Sequence, residues 1–187
     1  MPRSPHRVLA LVAALSAFAV SATVIVHETL EQMASHAPLI VRGRVTRSSA
    51  GWDATKRRIW TWTELAVTER IKGSVSGSVL LKQPGGEVGG IGQAVEGTAH
   101  FKEGEDVIVF LDRAPDEKGT WRVYGMSAGK IFITRVDGKE VAARDTSGLA
   151  FASSSGVIAP VGGFEVLGTV ERFVDDLRGV VKKGGGK

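Results

Sequence analysis

The stretch RIWTWTELAVTERIKG, residues 58–73, reads as one long β-strand. Ile59, Thr61, Thr63, Leu65 and Val67 recur at every second position, so they share one face of a pleated strand. The same alternation sends Trp60 and Trp62 to the opposite face, beside Arg58, Glu64 and Arg70. Two tryptophans on the polar side of a strand need an account, because a large exposed apolar patch usually meets something. Two accounts stand open. Either a terminal helix covers the pair or a bulge flips the register, or the strand carries a binding face. In the second case Trp60 and Trp62 are aromatic platforms, with Lys56, Arg57 and Arg58 beside them.

Working outward from this strand, short β-signals follow one another closely. Leu39–Arg47 (LIVRGRVTR) precedes it, and GSVLLKQ follows, closed by Pro84. EDVIVFLDR is apolar at five consecutive positions from Val107 to Leu111, the pattern of a strand buried on both faces. GTWRVYGM and GKIFITRV are further short strands, and Asp137-Gly138 is a hairpin signal leading into KEVAARD. Helical signals stand only at the two ends. Thr29 and Gln32 form a capping box ahead of Leu30 and Met33, with Pro38 as the stop. Val166, Val170, Phe173, Leu177 and Val181 recur at helical spacing, which predicts an amphipathic helix over Glu165–Val181. The pattern predicts a mainly β fold: a small antiparallel, OB-like barrel of five to seven strands, with a short N-terminal helix and a C-terminal amphipathic helix. Its expected core is Val41, Val45, Leu65, Val67, Val79, Leu81, Val107, Val109 and Leu111.

Between two of these strands lies LLKQPGGEVGGIGQAVEG, residues 80–97, with the glycine content of a phosphate loop. The order is wrong for that role. No Gly-Lys pair is followed by Ser or Thr, and where the dinucleotide pattern needs a third glycine after Gly90 and Gly92 the chain has Val95. The segment from Pro84 to Gly97 is therefore expected to be a wide loop that shapes the barrel, its glycines at positive φ or close against neighbouring backbone.

The first residues belong to a different pattern. MPRSPHR carries Arg3 and Arg7, an apolar run covers Val8–Val20, and small residues follow as AFA ending at Ala19 or VSA ending at Ala22. This is the pattern of a signal peptide over residues 1–22, with a run too short for a comfortable membrane span. The expected product is an exported chain, periplasmic or secreted, with no integral membrane span. It has one domain over residues 23–183 and a disordered tail over 184–187. Loss of Arg3 and Arg7 leaves 22 basic against 20 acidic residues, a net charge of about +2 rather than +4, which gives no reason to expect nucleic acid. Cysteine is absent, so no disulfide supports the fold and no lipid can be attached at the signal exit.

The succession HAPLIVRGRV, RIWTWTELAVTERIKG, PGGEVGG, GEDVIVFLDR and YGMSAGKIFI resembles a group of uncharacterised exported bacterial proteins over most of the mature chain. More distantly, LIVRGRV and ELAVTERIKG are similar to the opening strands of netrin-like domains, including the tissue inhibitors of metalloproteinases. That resemblance implies an OB-type barrel. It does not bring the inhibitory device, an N-terminal cysteine bound to the protease zinc, because this chain has no cysteine.

Chemistry-bearing clusters are sparse. Of the histidines, His27, His36 and His100 remain after export, and only His27 and Glu31 are spaced to share a helix face, which is too few ligands for zinc. No metal or other cofactor is expected. Ser153, Ser154 and Ser155 lack a nucleophile-elbow pattern, and the pairs Asp175-Asp176 and Glu103-Glu105 read as solvated. The chain reads as a non-enzymatic module that binds another exported or envelope protein, a protease among the candidates, with a glycan as a second class of ligand. The alternatives are a small hydrolase or metal-dependent enzyme on the same barrel, which would gather His100, His27 and a carboxylate in one cleft, or a structural envelope domain.

Overall fold

The computed structural model of the protein describes residues 23–153, 156, 158–159 and 162–184. The expected signal peptide, Ser154, Ser155 and residues 185–187 of the expected tail lie outside the described residues. In chain order the elements are β1 (Thr23–Val26), α1 (Leu30–His36), β2 (Leu39–Trp52), β3 (Ile59–Lys72) and β4 (Ser78–Pro84). Then come β5 (Gly86–Val88), β6 (Ile91–Gln93), β7 (Asp106–Arg113), β8 (Thr120–Val123) and a 3₁₀ turn at Met126–Gly129. The chain continues through β9 (Lys130–Val136), β10 (Lys139–Asp145), β11 (Leu149–Ala152), β12 (Ile158–Ala159), β13 (Phe164–Thr169) and α2 (Val170–Gly184).

Five strands close on themselves. β2 pairs antiparallel with β3 and β7, β3 with β4, and β7 with β8. The ring shuts where β4 runs parallel to β8, at Leu80↔Thr120 and Leu81↔Trp121. Numbered along the chain, the five go round as 1-2-3-5-4, the Greek-key connectivity of an OB-type barrel. This is the barrel expected from sequence, at the low end of the strand count and with one parallel pairing at the closure. The edge of β7 is shared. Its second half takes β8, while its first half takes β9, from which the sheet continues to β10 and β13.

That fork explains why VIVFL is buried throughout. Val107, Val109 and Leu111 point into the barrel with Leu39, Val41, Val45, Leu65, Val79 and Leu81. Ile108 and Phe110 point outward into a second core beneath Met33 and Ala34 of α1 and Phe173, Val174 and Leu177 of α2. A strand between two cores has no face left for water. Of the expected core, only Val67 is half-buried, packed at the edge of the barrel interior.

The terminal helices follow their caps. Thr29 Oγ1 accepts from Gln32 N at 3.2 Å, and Gln32 Oε1 accepts from Thr29 N at 2.8 Å. At the other end the expected helix over Glu165–Val181 is displaced. Residues 164–169 form β13, antiparallel to β10, and α2 begins at Val170 and runs into Gly184, the first residue of the expected tail. Gly168 holds φ at 115°, outside the helical region, and Glu165 is tied to Arg144 across the strand pair, so pairing overrides the helical spacing of Val166. No helix of the described residues is long and apolar enough to cross a membrane.

The glycine-rich segment is more ordered than a wide loop. β5 and β6 form a hairpin whose two turn residues, Gly89 and Gly90, have φ of 59° and 78°. That is the geometry of a two-residue primed turn. The hairpin lies on the inward face of β3, where Thr61 Oγ1 donates to the Gly85 carbonyl at 2.7 Å and Ile59 N donates to Gln93 Oε1 at 2.7 Å. It therefore braces the outer half of β2 and β3, an arm that runs past the last β7 partner at Arg44 and is flanked by β4 from Trp60↔Pro84 to Ala66↔Ser78.

Candidate functional site: an aromatic and cationic face on the projecting hairpin

Strand alternation along β3 places Ile59 and Thr63 in the interior and Trp60 and Trp62 on the outer side, as the sequence predicts. The two indoles are half-buried. Neither terminal helix covers them. Their cover is Lys82 of β4, the Cα partner of Trp62, together with the loop joining β7 to β8. Lys82 Nζ stands 4.5 Å from the centroid of the Trp60 ring and 5.8 Å from that of Trp62. Its ammonium also meets Asp116 Oδ2 at 2.6 Å and Glu117 Oε2 at 3.0 Å, and Trp62 Nε1 donates to the same Glu117 carboxylate at 3.4 Å.

Burial works against the charge of Lys82, but the two carboxylates outweigh it and hold the amine above its ordinary pKa. Reciprocally, the hydrogen bond from Lys82 holds the Asp116 carboxyl below the usual range. With its side chain 10% exposed, Lys82 is a spacer between two rings rather than a free cation. A cation between rings and carboxylates in a partly dry site is stabilising, and here it fixes both indole planes.

Lys56, Arg57 and Arg58 belong to the turn at the tip of the arm. Asp53 Oδ1 accepts from the Arg57 amide at 2.9 Å and the Arg58 amide at 3.3 Å, and Lys56 occupies the left-handed region at φ 53°. Those amide bonds, that to Arg57 first, hold the Asp53 carboxyl below its usual range. The Asp53 side chain is thus spent on the backbone, and the side chains of Lys56, Arg57 and Arg58 are exposed, with no carboxylate within ion-pair distance among the described residues. Arg58 and Trp60 also line a cleft of about 410 Å³, walled by Pro84, Pro115 and Met126 and bordered by Arg122. Lys56, Arg57 and Trp62 do not line it; they extend the surface along the arm.

Lys82, Pro115, Arg122 and Met126 were not foreseen. Lys82 alone had a signal. Pairing the strand at 78–84 against residues 60–66 puts the outward Lys82 between the two outward tryptophans. Pro115, Arg122 and Met126 reach the cleft through the β7–β8 connection and the turn beyond it, which no local pattern announces.

The histidines are dispersed. His27 packs edge-on against Phe151 with ring centroids 5.3 Å apart. His36 Nδ1 is 2.8 Å from Glu28 Oε1 and 3.4 Å from Tyr124 Oη, and His100 presents its carbonyl to the Lys130 amine. No three His, Cys, Asp or Glu side chains of the described residues are placed to hold a metal ion.

Fold and site together define the class: a mainly β protein on a small OB-like barrel whose first hairpin projects and carries an aromatic, cationic face. The chain matches no protein-family model and no curated protein.

Proposed function

We propose that the protein is an exported, non-enzymatic protein-binding module, and that the arm carrying Trp60, Trp62, Lys56, Arg57 and Arg58 is its contact surface. One observation carries this reading: Lys82 fixes two tryptophans on the outer face of the arm while three cations beside them have no acidic partner among the described residues. Rigid aromatic residues flanked by arginine are the composition of interface hot spots. The netrin-like resemblance concerns the fold and does not choose the partner; an exported protease is one candidate.

The test is retention of a partner from the exported fraction of the native host. The immobilised protein is compared with Trp60→Ala, Arg58→Glu and the remote control Arg172→Gln on α2, the folding of each being checked by thermal melting. The reading expects at least one protein retained by the wild type and the control and lost from both arm variants. Retention that ignores the arm, or no retention at all, would overturn it.

A further inference from the structure

The polar groups around the cleft are unequally committed. Gln83 spends its amide on the Ala99 carbonyl and the Val123 backbone N–H. Lys82 and Asp116 are paired with each other. Arg122 gives one nitrogen to Asp112 at 2.9 Å and keeps its others. What remains for a ligand is mostly donors: the Arg58 guanidinium, unpaired among the described residues, the rest of Arg122 and the indole N–H of Trp60, against the second Asp116 oxygen and the buried, unpartnered Thr98 hydroxyl. The walls are apolar: the Trp60 ring, Pro84, Pro115 and the Met126 side chain. Met126 itself is held in the left-handed region at φ 57°, a conformation that costs a non-glycine residue energy and that clusters at ligand clamps.

A sugar, with donors and acceptors all round its ring, would leave most of its hydroxyls without partners here. An apolar group next to an acceptor anion fits instead. The two further cations in sequence, Lys56 and Arg57, extend the positive surface beyond the cleft, so one terminal carboxylate would leave them unused. We propose that the cleft binds an acidic segment of a partner protein in extended form, in which an apolar side chain enters between Trp60, Pro115 and Met126 and neighbouring carboxylates meet Arg58, Arg57 and Lys56. This rests on the protein-binding reading above and names the chemistry of its partner.

The probe is a short labelled peptide of repeating Pro-Leu-Glu, compared by fluorescence anisotropy with the same peptide carrying Gln or Lys in place of Glu. The acidic peptide is expected to bind saturably, and more weakly as salt is raised, while the other two do not. Arg58→Glu and Trp60→Ala should each weaken it at least about tenfold, the scale of an interface hot spot, and Arg172→Gln should leave it unchanged. Met126→Gly keeps the left-handed turn while removing a wall; because the Met126 side chain also packs against the second core, the variant should melt lower than wild type yet stay folded, and it should weaken binding.

Equal binding of the Gln peptide, preference for the Lys peptide, or wild-type affinity in Arg58→Glu would overturn the proposal. Self-association abolished by Arg58→Glu would do so too, by making a second copy the occupant. A partner retained through the arm but no acidic peptide bound would sink this proposal alone; failure of both experiments would sink the protein-binding reading with it.

Discussion

Gly86→Ala should destabilise the protein far more than Gly90→Ala, although both glycines belong to the same hairpin. A Cβ at Gly90 would meet nothing within 4 Å, so the variant carries only the cost of a left-handed alanine at φ 78°, about 1–2 kcal/mol. At Gly86 the φ of 134° lies in a region that is essentially glycine's own, costing about 1–3 kcal/mol. There the new Cβ would also stand 2.5 Å from Thr61 Oγ1 and 2.9 Å from the Ala50 Cβ. Thr61 is committed to the Gly85 carbonyl and Ala50 sits in the paired arm, so neither can step aside without breaking the brace. Overpacking of this kind adds about 1–3 kcal/mol, for a total of about 2–6 kcal/mol. The relief from stiffening the unfolded chain applies to both variants and cancels in the comparison. For a domain of this size each kcal/mol is worth about 2–4 °C, so melting should fall by about 2–8 °C for Gly90→Ala and by about 4–24 °C for Gly86→Ala, about twice to three times as far at any one conversion. Thermal melts followed by far-UV circular dichroism make the measurement. Equal losses would show that the hairpin does not pack on β3, and the bracing of the arm would have to be abandoned.

The second core predicts that Phe110→Ala, at a fully buried position between β7 and the helices, costs about 3–5 kcal/mol in urea unfolding. A loss below about 1 kcal/mol would mean that the helix layer is not packed on the barrel. Partial burial, reinforced by the Glu28 carboxylate and then Asp112, pushes the phenol of Tyr124 up to about 12. Tyr124 is the single tyrosine, so phenolate absorbance should titrate near that value in the folded protein and move down toward 10 in Glu28→Gln. Because the folded state keeps a proton that the unfolded chain releases from pH 10, the linked stability is unchanged below pH 10 and falls as pH rises from there to about 12. A folded-state midpoint at 10 would refute the placement. Lys82→Met keeps the stem between the indoles but leaves Asp116 and Glu117 without their cation. It should cost about 1 kcal/mol, the modest figure reflecting the exposure of both carboxylates, and a urea midpoint equal to wild type at low salt would refute the spacer role.

The barrel was legible because its signal is local and repeated. Period-two alternation in residues 59–67 and the doubly apolar VIVFL segment state which strands have one buried face and which have two. What stayed illegible depended on partners distant in sequence. Helical spacing in residues 165–169 is genuine, yet β10 recruits that segment as a strand, and only the position of Gly168 hints at the break. The glycine run could be excluded as a phosphate loop from its spacing, but its Gly89-Gly90 turn becomes a hairpin only because the inward face of the arm offers Thr61 and the Ile59 amide as anchors. The site was half legible for the same reason. Alternation exposed Trp60 and Trp62, while the ion pairs that fix them arrive from a loop more than fifty positions along the chain.

That division has a consequence for how the arm would bind. A tryptophan on a flexible hairpin would lose rotamer and backbone freedom on meeting a partner, and those losses subtract directly from affinity. Here they are met within the fold. Lys82 holds the Trp60 ring from one side, Asp53 closes the turn through the Arg57 and Arg58 amides, and the β5–β6 hairpin supports the opposite face of the strand. The cations themselves are left exposed at the surface, where their contribution is to encounter rate and charge selection rather than to shape. Neutralising Arg57 should therefore slow association and weaken its salt dependence with little change in dissociation. Removing Lys82, whose amine is taken up by Asp116 and Glu117, should instead speed dissociation by releasing the ring. Stopped-flow association of the acidic peptide separates the two effects. If Arg57→Gln and Lys82→Met altered the same rate constant, the assignment of shape to the buried amine and of steering to the exposed cations would fail.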